Sequence, residues 1–168
     1  MAYAQEKPFV EIGTNVGVTV LTHDESTRTY IGIPGQGSLG QPSMYVSFFA
    51  GDPVLIEPQV ALFVVHSGNT THTTVVFGAQ VGYLFNGSAT NSPFMVGDFG
   101  FQYEKVSGGS YWSSSESDFG LGGKVGYRFL LGRSIGLRVE AGYRRWIDSE
   151  LNEFIFGIGI GGIVHHTQ

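Results

Sequence analysis

From Phe119 to Val164 the chain sets large apolar residues against glycine and charge through three consecutive runs. Phe119, Leu121, Val125, Tyr127 and Phe129 alternate with Gly120, Gly122, Lys124, Gly126 and Arg128. Ile135, Leu137, Val139, Ala141 and Tyr143 alternate with Gly136, Arg138, Glu140, Gly142 and Arg144. Phe154, Phe156, Ile158 and Ile160 alternate with Ile155, Gly157, Gly159 and Gly161. Successive side chains leave opposite faces of a strand, so a period of two predicts β-structure. One face is greasy and continuous; the other is glycine and ions.

The same period runs from the start of the chain. Val10, Ile12, Val16, Val18 and Val20 oppose Glu11, Gly13, Asn15, Gly17 and Thr19, a strand near Phe9–Leu21. Ser43–Phe49, Val54–Val65, Thr74–Phe85 and Phe94–Glu104 read as four more, which makes eight with the three above. No segment has helical periodicity. Pro58 cannot donate to a ladder, so a bulge or a missing rung is expected there. Residues 22–42 and 105–118 are polar and turn-rich and read as long loops. The connections run to about 20, 4, 8, 8, 14, 4 and 4 residues, which puts the longest at one end of an up-and-down barrel.

The orientation of the two faces decides the class. A soluble calycin-like barrel also alternates, but it turns its apolar face inward. Glycine weakens a strand and covers nothing on a solvated exterior. It suits the inside of an eight-stranded barrel, whose bore is just wide enough for side chains to fill. Aromatics gather at strand ends, as the girdles of a membrane barrel do: Tyr83, Phe85, Phe94, Tyr127 and Phe129 at turn ends, Tyr103, Tyr143 and Trp146 at loop ends. Charged residues make up 14% of the chain, too few to cover a soluble protein of this size comfortably. The expected fold class is therefore all-β, an eight-stranded antiparallel up-and-down transmembrane β-barrel over residues 9–164. Residues 1–8 would hold the remnant of an export-signal cleavage site, Ala2-Tyr3-Ala4, and the mature N-terminus, with 165–168 a short tail.

Barrel geometry then assigns roles to the charges. Glu11, Glu57, Asp98, Glu104, Lys124, Arg128, Arg138, Glu140 and Arg144 fall on the glycine face and are expected to form a luminal ion-pair network, because an unpaired buried charge is costly. Such a network would plug and stiffen the barrel in preference to carrying ions or protons, since eight strands leave little open bore. The formal net charge of −5 argues against nucleic acid, and the absence of cysteine excludes thiolate sites and disulfides.

The strand–turn–strand SMYVSFFAGDPVLIEPQVAL and the stretch GLGGKVGYRFLLGRSIGLRVEAGYRRW carry a resemblance. So does the Arg138-Val139-Glu140-Ala141-Gly142-Tyr143 pattern leaving a short turn. Together they resemble the small bacterial outer-membrane β-barrels that group porin-like and opacity-type proteins with the OmpA and OmpX barrels. The resemblance implies a bacterial outer-membrane location, a surface of outer-membrane lipid and lipopolysaccharide, and no cofactor. It departs at the C-terminus. Members usually finish on an aromatic residue, whereas this chain runs GIGIGGIVHHTQ, which implies an assembly signal displaced or lost.

Chemistry is thin. His66-Ser67 is the sharpest catalytic candidate, since lipid-modifying outer-membrane barrels place a His, a Ser and a Glu near the rim; adjacent residues on a strand, however, face opposite sides, which is poor geometry for a nucleophile and its base. His23, His66 and His72 sit at expected loop ends without a metal-site pattern. Tyr111 and Trp112, among serines and glycines, read as a loop interaction surface. The reading favoured is non-enzymatic: a filled barrel that stabilises the envelope or meets a protein or surface partner through loops 22–42 and 105–118. A lipid-modifying enzyme, or a narrow channel or carrier of small apolar ligands, stands behind it.

Overall fold

A computed structural model describes residues 8–23, 26–32, 44–50, 53–88, 90–108 and 112–165. Nine strands follow one another without a helix among the described residues: β1 (Pro8–His23), β2 (Ser26–Gly32), β3 (Met44–Phe49), β4 (Val54–Ser67), β5 (Thr70–Leu84), β6 (Ser92–Gly108), β7 (Trp112–Leu131), β8 (Ile135–Trp146) and β9 (Asn152–His165). All neighbours are antiparallel, and β1 pairs with β9 from Pro8↔His165 to Thr22↔Asn152, which closes the sheet on itself.

Nine strands make an eight-position wall. Gly32, the end of β2, lies opposite Gly17 of β1, and Met44, the start of β3, lies opposite Thr14. β2 and β3 thus share one place beside β1. The expected loop 22–42 is corrected in part: residues 26–32 are strand, and 33–42 lie outside the described residues. Loop 105–118 is corrected too. β6 and β7 stay paired up to Gly108↔Trp112, and β4 and β5 up to Ser67↔Thr70, with Gly68 taking the left-handed turn at φ 58°. These segments form a ribbon of four strands beyond the rest of the wall. Their serines and threonines are polar on both faces, so the apolar half of the alternation vanishes while the ladder continues. The tail expectation shifts by one residue, since His165 belongs to β9.

The side chains sort by face. Outward, the wall is apolar, with Val60, Leu62, Phe77, Phe101, Leu121, Val125, Phe156 and Ile158 all exposed. In water this would be a liability; a contiguous apolar surface of this kind, topped and tailed by aromatics, is the lipid face of a transmembrane barrel. Tyr83 and Phe85 pack edge to face at 5.4 Å, and Tyr127 and Phe129 lie 4.6 Å apart, both pairs at the end that carries the chain termini. Tyr143 and Phe154 pair at 5.3 Å towards the ribbon end. Phe94 and Trp146, expected in the girdles, are buried inside instead, because Phe94 is in phase with Val96 and Asp98, and Trp146 with Arg144.

The β3–β4 ladder is short, Phe48↔Ile56 and Phe49↔Leu55, and stops before Pro58, which keeps its place in the ladder to β5 opposite Ala79. The missing rung lies on one side of the strand only.

Candidate functional site: the lumen and its mouth

Inside, the barrel is filled in layers. At the terminal end, Phe49, Leu55, Leu84, Phe94 and Val96 close the bore with an apolar plug. Arg128 lies against it, its guanidinium 5.1 Å from the Phe49 ring, and donates to Glu11 Oε2 (2.7 Å) and to the Ser88 carbonyl (2.8 Å). The other Glu11 oxygen accepts from the Tyr45 hydroxyl at 2.8 Å.

The middle layer is built around Arg138. Its Nη1 and Nη2 donate to Glu57 Oε2 (2.8 Å) and Oε1 (3.0 Å), a fork on a carboxylate. Ser47 donates to the same Oε2 at 2.6 Å. The guanidinium lies 3.6 Å from the centroid of Tyr45, and its Nε is 3.5 Å from Glu140 Oε2. Lys124 Nζ donates to Glu140 Oε1 at 3.2 Å. Towards the ribbon, Arg144 donates to Asp98 Oδ2 from Nη2 (2.5 Å) and Nε (3.2 Å) and lies 3.6 Å from Glu153 Oε2. Trp146 donates its indole N–H to that same Glu153 oxygen at 3.1 Å and caps the layer against Val76 and Leu151.

Eight of the nine charges assigned to the lumen from sequence meet here: Glu11, Glu57, Asp98, Lys124, Arg128, Arg138, Glu140 and Arg144 are all buried. Glu104 is the exception and is corrected. It has the inward phase but sits in the ribbon above the closed bore, with its side chain 38% exposed and 3.8 Å from His72. Period two gives a residue's face, and not its height. Glu153, fully buried, abuts the Asp148–Leu151 turn, which masks its strand character in the sequence; the signal for its inward face is its phase with Ile155, opposite to Phe154.

Glycine makes room for these side chains. A Cβ on Gly136 would stand 2.7 Å from the Glu11 carboxylate, and one on Gly159 would meet Asn15 Oδ1 and the Arg138 stem. Five carboxylates and four cations could not be packed into a bore already lined with larger residues.

At the ribbon end the lumen opens into a cavity of about 470 Å³ whose walls include Glu104, Glu116, Asp118 and Asp148, with Trp146 at its base. Asp118 organises the rim. It accepts from the backbone amides of Asp148 (2.9 Å) and Ser149 (3.1 Å) and from the Ser149 hydroxyl, which ties the β8–β9 turn to β7. Burial pushes its carboxyl up, but the Ser149 hydroxyl and the amides of Asp148, Ser149 and Phe119 outweigh this and hold it below the usual carboxylate range. Glu104 faces Glu116 directly across the β6–β7 ladder.

The catalytic candidates do not converge. His66 Nδ1 is 2.9 Å from Thr71 Oγ1 across the hairpin, and Ser67 follows it on the opposite face of β4. His72 belongs to the inner face with Glu104, the other face from His66. The His23 side chain lies outside the described residues, as do Tyr111 and the Trp112 side chain. No group of three or more metal-ligating side chains occurs among the described residues.

No protein-family model matches the chain, and no curated protein sequence matches it. Solved structures do. Neisserial surface protein A superposes with a TM-score of 0.65 at 10% identity, covering 92% of this chain and 97% of that one. The N-terminal β-barrel domain of Pseudomonas aeruginosa OprF gives 0.61 at 11% identity over 95% and 100%. Ail, the attachment invasion locus protein of Yersinia pestis, gives 0.59 at 11% identity over 94% and 99%. The fold is that of the small eight-stranded outer-membrane β-barrels of the OmpA and OmpX type.

Proposed function

We propose that the chain is a non-enzymatic barrel of the bacterial outer membrane whose lumen does not conduct, and whose work is to stiffen the envelope and to present the β4–β7 ribbon to a surface partner. The observation that carries the reading is the layered filling of the bore. The apolar plug of Phe49, Leu55, Leu84, Phe94 and Val96 at one end and Trp146 at the other enclose an ion-paired middle. A path through it would have to break several buried charge-assisted hydrogen bonds in a low dielectric at once, the Arg138–Glu57 fork among them.

The ribbon is what such a barrel adds above the membrane. Ail, a neighbour in fold, has been solved with the heparin analogue sucrose octasulfate. In this chain the inner face of the ribbon is acidic, through Glu104, Glu116 and Asp118, so a polyanion is disfavoured there and a neutral or cationic partner is favoured.

Two measurements test the reading. Purified protein reconstituted in planar bilayers should be silent; discrete unitary currents would refute the closed lumen. Cells carrying a version with residues 105–115 replaced by a two-residue turn should keep a heat-modifiable gel shift and lose attachment to surfaces that the parent binds. Unchanged attachment would remove the ribbon from the function.

A further inference from the structure

On the inner face of the ribbon, Glu104 and Glu116 are direct partners across the β6–β7 ladder, and Asp118 follows one inward position along, opposite Gln102. Three carboxylates thus share two neighbouring strands. Asp148, from the β8–β9 turn, joins them in the wall of the mouth cavity. Like charges set opposite one another across a ladder destabilise it. Asp118 is answered by the amides of Asp148 and Ser149 and by the Ser149 hydroxyl. Glu104 and Glu116 have no hydrogen-bond donor of this kind among the described residues.

What stands against Glu104 from the other side is His72. Thr74 is the direct partner of Glu104 on β5, so His72 lies one inward position farther along, with its Nδ1 3.8 Å from Glu104 Oε1. That is too long for a hydrogen bond from a neutral imidazole, but it is an ion pair for an imidazolium. Both side chains are partly exposed, so protons reach them freely. Among the described residues His72 is the sole basic one in the inward phase of the four ribbon strands; His66 and Lys105 take the outer face. The ribbon is also where so small a contact is felt. The β7–β8 ladder begins at Gly120↔Trp146 and the β3–β4 ladder stops at Ile56, so the ribbon's two edges have no strand beside them among the described residues. The apolar packing of Val76 and Trp146 lies beneath it. Segments with open edges and little buried apolar surface open locally at low free energy.

We propose that the ribbon is a pH-responsive element: protonation of His72 fastens β5 to β6 at Glu104 and offsets the Glu104–Glu116 repulsion, so the ribbon is paired more firmly in mild acid and opens more readily as pH rises. Charge sets the direction. Histidine gains its charge between about pH 8 and pH 5, whereas ordinary carboxylates stay ionised down to about pH 4. The contact belongs to the imidazolium alone, so its stabilisation is present in mild acid and is lost as the imidazolium gives up its proton. The remaining charged groups on this side, Asp118 and Asp148, are acidic and draw the imidazolium the same way. The device concerns the ribbon's own order and stands whether or not a partner binds there.

The test follows amide hydrogen exchange at Thr71–Thr73, Tyr103–Lys105 and Ser115–Ser117 by NMR. It uses refolded full-length protein in an uncharged detergent at about pH 5 and about pH 8, the limits of the histidine range, with each rate corrected for its intrinsic pH dependence. The corrected opening constant should fall about twofold to fivefold from the higher pH to the lower, the size of an exposed ion pair. His72→Gln and Glu104→Gln should each show the same opening constant at both pH values. His66→Gln removes the outward histidine, whose Nδ1 is 2.9 Å from Thr71 Oγ1, and should keep the wild-type response. A flat wild-type profile overturns the inference. So does a response that survives in His72→Gln or Glu104→Gln, or one that is lost in His66→Gln. Because His72→Gln and Glu104→Gln remove opposite ends of one contact above the closed bore, either variant decides the matter if the other fails to refold.

Discussion

Arg138 grips Glu57 through two hydrogen bonds, 2.8 and 3.0 Å, across the bore from β8 to β4. The pair spans 81 residues of sequence, and both members are buried. Removing one partner leaves the other charged with no water to turn to, which typically costs about 3–5 kcal/mol. Glu57→Ala should therefore lower the free energy of unfolding in urea, measured in lipid vesicles, by that amount. Replacing both, Glu57→Leu with Arg138→Met, should cost less than Glu57→Ala alone, because no orphaned ion remains. A double variant as damaging as the sum of its parts would show that the two residues are not coupled.

The glycines offer a second contrast within one fold. A Cβ on Gly122 would come within 2.8 Å of the Arg144 Cα and closer still to the Tyr143 carbonyl, all backbone of the paired strand. Gly162 on β9 faces open space, with nothing within 4 Å. Gly122→Ala should destabilise by about 1–3 kcal/mol as an overpacked site, and Gly162→Ala should fall within about 0.5 kcal/mol of wild type. The urea midpoints of the two variants, compared directly, decide this.

What the sequence makes legible is the face each residue takes, and where it fails is height and pairing. Alternation alone places Glu11, Lys124 and Arg144 inside and Phe156 and Ile158 outside, since one face of a narrow barrel must accept glycine and ions together. It cannot tell that Glu104 lies above the bore, because the ribbon continues the same ladder with the same period. Nor can it separate a loop from a paired strand where Ser113–Ser117 carries hydroxyls and a carboxylate on both faces. Which cation meets which anion depends on strand stagger: Arg138 finds Glu57 on β4 in preference to a partner on a neighbouring strand. Pro58 was a local signal of a true irregularity, but its one-sidedness depends on the short β3.

That irregularity gives a third test. Pro58 has no N–H, and the rungs between β3 and β4 end at Ile56. Pro58→Val restores the donor and a strand-forming side chain at an exposed outward position. Further pairing along Met44–Ser47 should follow, with a gain of about 0.5–1.5 kcal/mol per added bond. Hydrogen exchange should show new protection at the amides of β3. An unaltered exchange pattern would mean that something other than the missing donor ends the ladder.

Asp118 gives the last. Its carboxyl is held below the usual range by the Ser149 hydroxyl and the amides of Asp148, Ser149 and Phe119, against the opposing effect of burial. A depressed pKa in the folded state means that the carboxylate's contribution is complete above the unfolded value, near 4, and is lost as pH falls through the folded value. The β8–β9 turn should therefore stay tied to β7 at neutral pH and throughout the mildly acidic range, and come free only in stronger acid. Amide chemical shifts of Asp148 and Ser149, followed from neutral to pH 3 in detergent, should move together with a midpoint under 4. Asp118→Asn should abolish that titration while leaving the luminal pairs intact, because Asn can still accept through one oxygen but has no charge to lose. A midpoint above 4 in the wild-type protein would mean that burial, and not the hydrogen bonds of the turn, governs Asp118.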